Sequence, residues 1–301
     1  MADFKFVKIP SPSINSKIGN LEMWTILAPK RSYRPKQKRG EVVFCPFCPG
    51  SEKDEPEIYR IGGQGSDSNW LTRVIRNKFP FAPIHEIVIH SPEHEARMSG
   101  FALDQVRLVI ETYVNRYNAH FKDGSVCIFC NSGKTSGESI VHQHSQIAVV
   151  STDVQIIVPR IERDVEYRDE FFAVKDFEIF CPPFSQWPDE VWIVPKERGR
   201  LFGEIRYEEI ESFAYILKRL IKILEIRHGN DFPYNYYIYP FHDWYLRIIP
   251  RSKTPGGFEL ATGIYVNTQE PSETMKFIKE HFYEEEETKI KKSSAQYRRG
   301  V

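Results

Sequence analysis

The chain lacks an excess of either charge: Lys plus Arg and Asp plus Glu each number 41 in 301 residues. That balance removes the usual reason for wholesale attraction to nucleic acid or to an anionic membrane, so any affinity for phosphate must be local. Long apolar runs are missing as well. No stretch reaches the length needed to span a bilayer, and residues 1–20 carry lysines without a continuous apolar core. Cysteine is scarce and odd in number, five in all, and two of the five share one tight turn, which is unlike a secreted disulfide framework. The expectation is a cytoplasmic protein with neither a nucleic-acid nor a membrane partner.

What is present is concentrated. His142-Gln143-His144-Ser145-Gln146 follows a polar, glycine-bearing stretch and precedes the apolar run Ile147-Ala148-Val149-Val150. Strand alternation places His142, His144 and Gln146 on one face. Two imidazoles and an amide so arranged suit phosphate chemistry, because a neutral imidazole attacks phosphorus and an amide donates to a phosphoryl oxygen. Two histidines buried in a core would show the same spacing. The rest of the sequence decides against that plainer explanation.

Cys45-Pro46-Phe47-Cys48-Pro49-Gly50 aims two thiols at one point, which is half of a tetrahedral zinc site; His94 and His142 are the candidates to complete it. Cys127 and Cys130 share that spacing but lie in a strand-like run, where residues three apart face opposite sides, so they are expected to be core residues. Gly133-Lys134-Thr135 imitates the end of a P-loop. The glycine required five residues earlier is replaced by Ile128, which excludes that motif.

Periodicity organises the remainder. Strands are expected near residues 22–27, 70–75, 86–90, 125–130 and 142–150, with a helix from Leu103 to Phe121 carrying Val106, Val109, Ile110, Tyr113 and Tyr117 on one stripe. The second half repeats the plan: strands near 177–180 and 189–196, a helix over 207–227, then strands over 235–239 and 244–249. This predicts an α+β fold built from a duplicated repeat, with antiparallel sheets and a long helix per repeat. Asp243, Tyr245 and Arg247 stand where the first copy has His142, His144 and Gln146, so one chemical centre per chain is expected. The predicted division is an N-terminal arm (1–20), a catalytic repeat (21–155), a degenerate repeat (156–285) with a third helix near 270–282, and a charged tail (286–301).

Taken in order, these motifs resemble the galactose-1-phosphate uridylyltransferase branch of the histidine-triad superfamily over about residues 20–285. Trp24 to Pro35 is similar to that family's first strand with its paired arginines, here Arg31 and Arg34. Cys45, Cys48, His94 and His142 match its zinc ligands, which implies one structural Zn²⁺ per chain. Asn77, Lys78 and Phe79 resemble its nucleoside-pocket segment, and Asn131, Gly137 and Ser139 its phosphate-binding loop. His144 then falls on the nucleophile and Gln146 on the glutamine that holds the phosphoryl group. The sequence departs from the family at Gln143 and Ser145, where proline and glycine are usual. It also lacks a histidine set for a second metal in its second half, and residues 256–267 look more like ADP-glucose phosphorylase relatives.

The resemblance implies a cytoplasmic homodimer acting on nucleotide-sugar and sugar-phosphate substrates. A nucleoside monophosphate would pass by double displacement through a nucleotidyl-histidine, from a nucleotide-sugar to a hexose-1-phosphate. Transfer to inorganic phosphate, as in ADP-glucose phosphorylase, and cleavage of dinucleoside polyphosphates are the competing chemistries. A zinc-stapled nucleotide sensor without catalysis is the reading from another class.

Overall fold

The computed structural model describes residues 3–9, 23–34, 44–64, 69–161 and 171–283. Two short strands, β1 (Lys5–Ile9) and β2 (Met23–Leu27), pair antiparallel, so part of the expected N-terminal arm is a strand. The charged tail lies outside the described residues.

The other strands are β3 (Glu57–Ile61), β4 (Thr72–Arg76), β5 (Ile84–Ile89), β6 (Ser125–Ser132), β7 (His144–Val150), β8 (Phe172–Val174), β9 (Phe177–Phe180), β10 (Val191–Pro195), β11 (Tyr234–Ile238) and β12 (Leu246–Pro250). They form one antiparallel sheet in the order β3-β4-β5-β7-β6-β11-β12-β10-β9-β8. Read outward from the central β6–β11 pair, the two flanks have the same pattern. The strands expected for two repeats therefore join edge to edge into one sheet.

Two long helices, α1 (Leu103–His120) and α2 (Tyr207–His228), lie over one sheet face. Their expected stripes are the buried ones: Val106, Val109, Ile110 and Tyr113 on α1, and Phe213, Leu217, Leu220 and Leu224 on α2. Each such side chain contributes about 1.5–3 kcal/mol relative to exposure. Helix α2 stops where Gly229 takes a positive φ and its N–H returns to the Glu225 carbonyl. Two shorter helices follow, α3 (Gly257–Thr262) and α4 (Pro271–Phe282).

On β7 the alternation separates two duties. Ile147 and Val149 face the helices and join the main core. His144, Gln146 and Ala148 point the other way, in register with Ile89, Ile87 and His85 of β5. His142 precedes the strand proper, in the bend that leads into it. Among the described residues no helix is long and apolar enough to cross a membrane.

Candidate active site

The cysteine turn closes through Cys48 N–H to Cys45 O (3.3 Å) and Ser51 N–H to Cys48 O (3.3 Å). It brings Cys45, Cys48, His94 and His142 together, with one ligand atom from each lying within 4.8 Å of all the others. His142 Nδ1 is 3.7 Å from Cys45 Sγ and 3.6 Å from Cys48 Sγ, and His94 Nδ1 is 3.3 Å from Cys48 Sγ. The S···N edge of a tetrahedral zinc site with ordinary bond lengths is about 3.6 Å, close to these three distances, so the donor set suits such an ion. The tautomer fits as well. His142 Nε2–H donates to the Ser91 carbonyl (2.8 Å), which leaves Nδ1 as the lone-pair nitrogen facing the thiols. Burial, and then the neighbouring Cys45, push the Cys48 thiol up to about 12, so a bound cation is what would let both sulfurs ionise. Cys127 and Cys130 face opposite sides of β6 as expected, and Cys130 lies fully buried in the main core.

The phenyl ring of Phe47, between the two cysteines, sits edge-on to His144 with centroids 5.1 Å apart and to His142 at 6.2 Å. The metal-ligand cluster and the histidine strand therefore share one apolar wedge. His144 Nδ1–H donates to the His142 carbonyl (2.8 Å), so Nε2 carries the lone pair. Burial holds the His144 imidazole down at about 4, which keeps it neutral at pH 7. A neutral imidazole with its other nitrogen anchored is the form in which histidine acts as a nucleophile.

His144 and Gln146 line one cleft of 260 Å³. Arg34 and Ser139 border it, as do Asn77, Lys78 and Phe79, so the structure gathers most of the residues predicted to be catalytic or substrate-binding at one place. Burial lowers Arg34 from its ordinary value, a sign that its guanidinium is partly withdrawn from water. Lys78 is ion-paired with Glu55, which also lines the cleft.

Three of the residues predicted to bind substrate are not on the cleft wall. Arg31 sits behind it: its guanidinium donates to the Phe79 carbonyl and lies 4.8 Å over the Phe81 ring. Burial, with help from Arg34, lowers Arg31 to about 10. Asn131 accepts a bond from Asn235 Nδ2 (2.7 Å), and that same amide group donates to the Ser136 carbonyl (3.0 Å). Gly137 adopts a left-handed φ of +93° beside Asn131. These two shape the loop leading to Ser139. The loop also needs Gly133, whose φ is +88° and where an added Cβ would meet Pro233 at 2.8 Å.

Sequence reasoning missed Phe47, Arg97 and His85. Arg97 ties down the loop before the histidine strand by donating to the Val141 carbonyl (2.7 Å), Glu138 (3.2 Å) and Gln143 (3.3 Å). Gln143 and Ser145, the two departures from the family pattern, are both fully buried away from the cleft. Ser145 bonds to His90 (2.8 Å) and Tyr236 (3.2 Å), and Gln143 Nε2 donates to Cys130 Sγ (3.4 Å).

The geometry thus sets a wedge-supported, neutral imidazole on a strand, beside a glutamine and a two-cysteine, two-histidine cluster. No family model matches the chain. It is 25% identical to ADP-glucose phosphorylase of Arabidopsis thaliana, over 85% of this chain and 90% of that protein. It is 26% identical to galactose-1-phosphate uridylyltransferase of Thermotoga maritima, over 70% of this chain and 75% of that one. The crystal structure of the Arabidopsis ADP-glucose phosphorylase with bound ADP-glucose superposes with a TM-score of 0.67 at 25% identity, covering 85% of this chain and 95% of that one. The chain is thus a relative of the galactose-1-phosphate uridylyltransferases and ADP-glucose phosphorylases in both sequence and fold.

Proposed function

We propose that this enzyme, a nucleotidyltransferase, moves a nucleoside monophosphate from a nucleotide-sugar to a phosphate-bearing acceptor through a covalent His144 intermediate. One observation carries the reading. His144, with Nδ1 anchored on the His142 carbonyl and a free Nε2, lines the same cleft as Gln146, Arg34 and Ser139.

The Nε2 lone pair forms an N–P bond to the α-phosphorus. The P–O bond to the departing sugar phosphate breaks, and its electron pair leaves with that oxygen. In the second half, an oxygen of the acceptor phosphate bonds to phosphorus while the N–P electrons return to Nε2. The proton stays on Nδ1, donated to the His142 carbonyl, throughout. Gln146 and Ser139 donate to phosphoryl oxygens and Arg34 supplies a cationic contact, each most valuable as charge redistributes. Arg31, Asn131 and Gly137 hold the rim and the loop. Asn77, Lys78 and Phe79 border the nucleoside. Cys45, Cys48, His94 and His142 would hold one structural Zn²⁺ per chain, closed by four protein ligands.

The acceptor is a hexose-1-phosphate in a uridylyltransferase-like reaction. The alternative, phosphorolysis of ADP-glucose by inorganic phosphate, is favoured by the longer alignment with the Arabidopsis phosphorylase, 85% of the chain against 70%. We further propose a cytoplasmic homodimer whose residues 21–155 and 156–285 are copies of one repeat. The mirrored strand order supports the duplication. The test is incubation of purified protein with α-labelled UDP-glucose and ADP-glucose, each with galactose-1-phosphate or inorganic phosphate. Acid-labile label on wild type and none on His144→Ala is expected, with equal metal content. Label that persists in the variant removes His144 from the role.

A further inference from the structure

His85 follows β5's first residue and belongs to no motif, yet it faces the site. It is paired in register with Ala148, two positions beyond Gln146 on the same face. Its Nε2 lies between Gln146 Oε1 (3.0 Å) and Asn77 Nδ2 (3.1 Å), and the contact at Nδ1 selects the tautomer. Phe81 N–H points at His85 Nδ1 (3.2 Å), so Nδ1 must accept and the ring proton belongs on Nε2. His85 Nε2 is 3.0 Å from Gln146 Oε1. Asn77 Nδ2 reaches the same oxygen at 3.4 Å, and the Asn77 amide is itself oriented because its Oδ1 accepts from Phe79 N–H (2.9 Å).

Two donors converge on the Gln146 carbonyl oxygen, and a flipped amide would set three nitrogens against one another. We propose that His85 is a positioning residue: it holds Gln146 by its carbonyl so that the amide N–H groups are presented to the phosphoryl group in the cleft. Burial keeps His85 neutral, near 4, so the single Nε2 proton stays directed at Gln146 across the physiological range. The ring is held in turn by Phe81, whose centroid is 4.2 Å away, and the Arg31 guanidinium lies 4.8 Å over the Phe81 ring. This gives Arg31, bonded to the cleft residue Phe79, a place in the same support. An amide free to flip would offer its oxygen to an anionic phosphoryl group half the time, and that repulsion would be felt most as charge develops.

The inference rests on the transfer reading above, so its test has one arm that needs no turnover. Nitrogen-15 spectra of the zinc-loaded protein should show His85 protonated at Nε2 from pH 5.5 to 8; protonation at Nδ1 overturns the assignment. The kinetic arm uses ADP-glucose with inorganic phosphate and UDP-glucose with galactose-1-phosphate. His85→Leu should lower kcat about 30-fold or more with KM changed less than about threefold, and His85→Gln, which restores a donor, should recover about tenfold. In a Gln146→Ala background, His85→Leu should cost less than about twofold more. Losses that multiply, or a glutamine variant no better than leucine, overturn the role. If the wild type turns over neither pair, the transfer reading fails, and the spectra still decide the state of His85.

Discussion

One transverse row of the sheet runs through Ile87, Gln146 and Phe129 in the first half and continues through Tyr237, Arg247 and Trp192 in the second. Gln146 and Arg247 are therefore positional counterparts, and His144 and Tyr245 lie two residues before them. The first pair opens onto a cleft. The second is filled in: Tyr245 stacks on Trp192 with centroids 4.0 Å apart, and its hydroxyl donates to the Pro159 carbonyl. Arg247 is clamped by Glu190 (2.7 Å), Gln186 (2.9 Å) and Tyr237 (3.0 Å). Burial alone would lower Arg247, but the Glu190 carboxylate more than offsets it and holds the guanidinium above its usual range. A functional site keeps donors and a lone pair in reserve for a ligand. Its counterpart spends nearly all of them on the protein itself.

The sharpest way to break this comparison is to change both halves. His144→Ala should reduce transfer by about 10⁴-fold or more, while Tyr245→Phe leaves turnover within about twofold, both read as product formed per folded molecule. Next in size, Cys45→Ser should release the metal and lower the melting temperature by ten degrees or more, followed by metal analysis and calorimetry. In the second half, Arg247→Met leaves Glu190 buried without its partner and should cost about 3–5 kcal/mol in urea unfolding, with covalent labelling of the folded fraction retained.

The smallest effect is on pH dependence. The folded His85 titrates near 4 and the unfolded imidazole near 6.5, so the unfolded chain takes up the proton first. This contribution to stability is intact above pH 6.5 and declines as pH falls toward 4, by up to ~3 kcal/mol. Unfolding measured from pH 7.5 to 4.5 should show a shallower decline in His85→Gln than in wild type.

Much of this was legible in one dimension because local physics has local periods. The stripes of α1 and α2 follow the 3.6-residue repeat, and their buried residues are those the spacing picks out. The cysteine turn was legible because two thiols and two prolines in six residues have few other uses. His85 was not, since one imidazole in the run Ile84–Ile89 carries no signature. Only the pairing of β5 with β7 sets it on the face of Gln146. The family resemblance points to Arg31, Asn131 and Gly137 as substrate contacts; the fold bonds Arg31 to the Phe79 carbonyl and Asn131 to Asn235, and sets Gly137 in the loop before Ser139.

By itself the chain determined the inventory: which donors exist, at which intervals, and on which alternating face each must fall once its segment becomes a helix or strand. Tertiary structure decided convergence. The register of β5 on β7, the meeting of His142 with the thiols of Cys45 and Cys48, and the Ser91 carbonyl that assigns the His142 proton all join segments far apart in the chain. Side-chain chemistry is a property of single residues, but a lone pair is available for reaction only when its neighbours in space have settled where every proton goes.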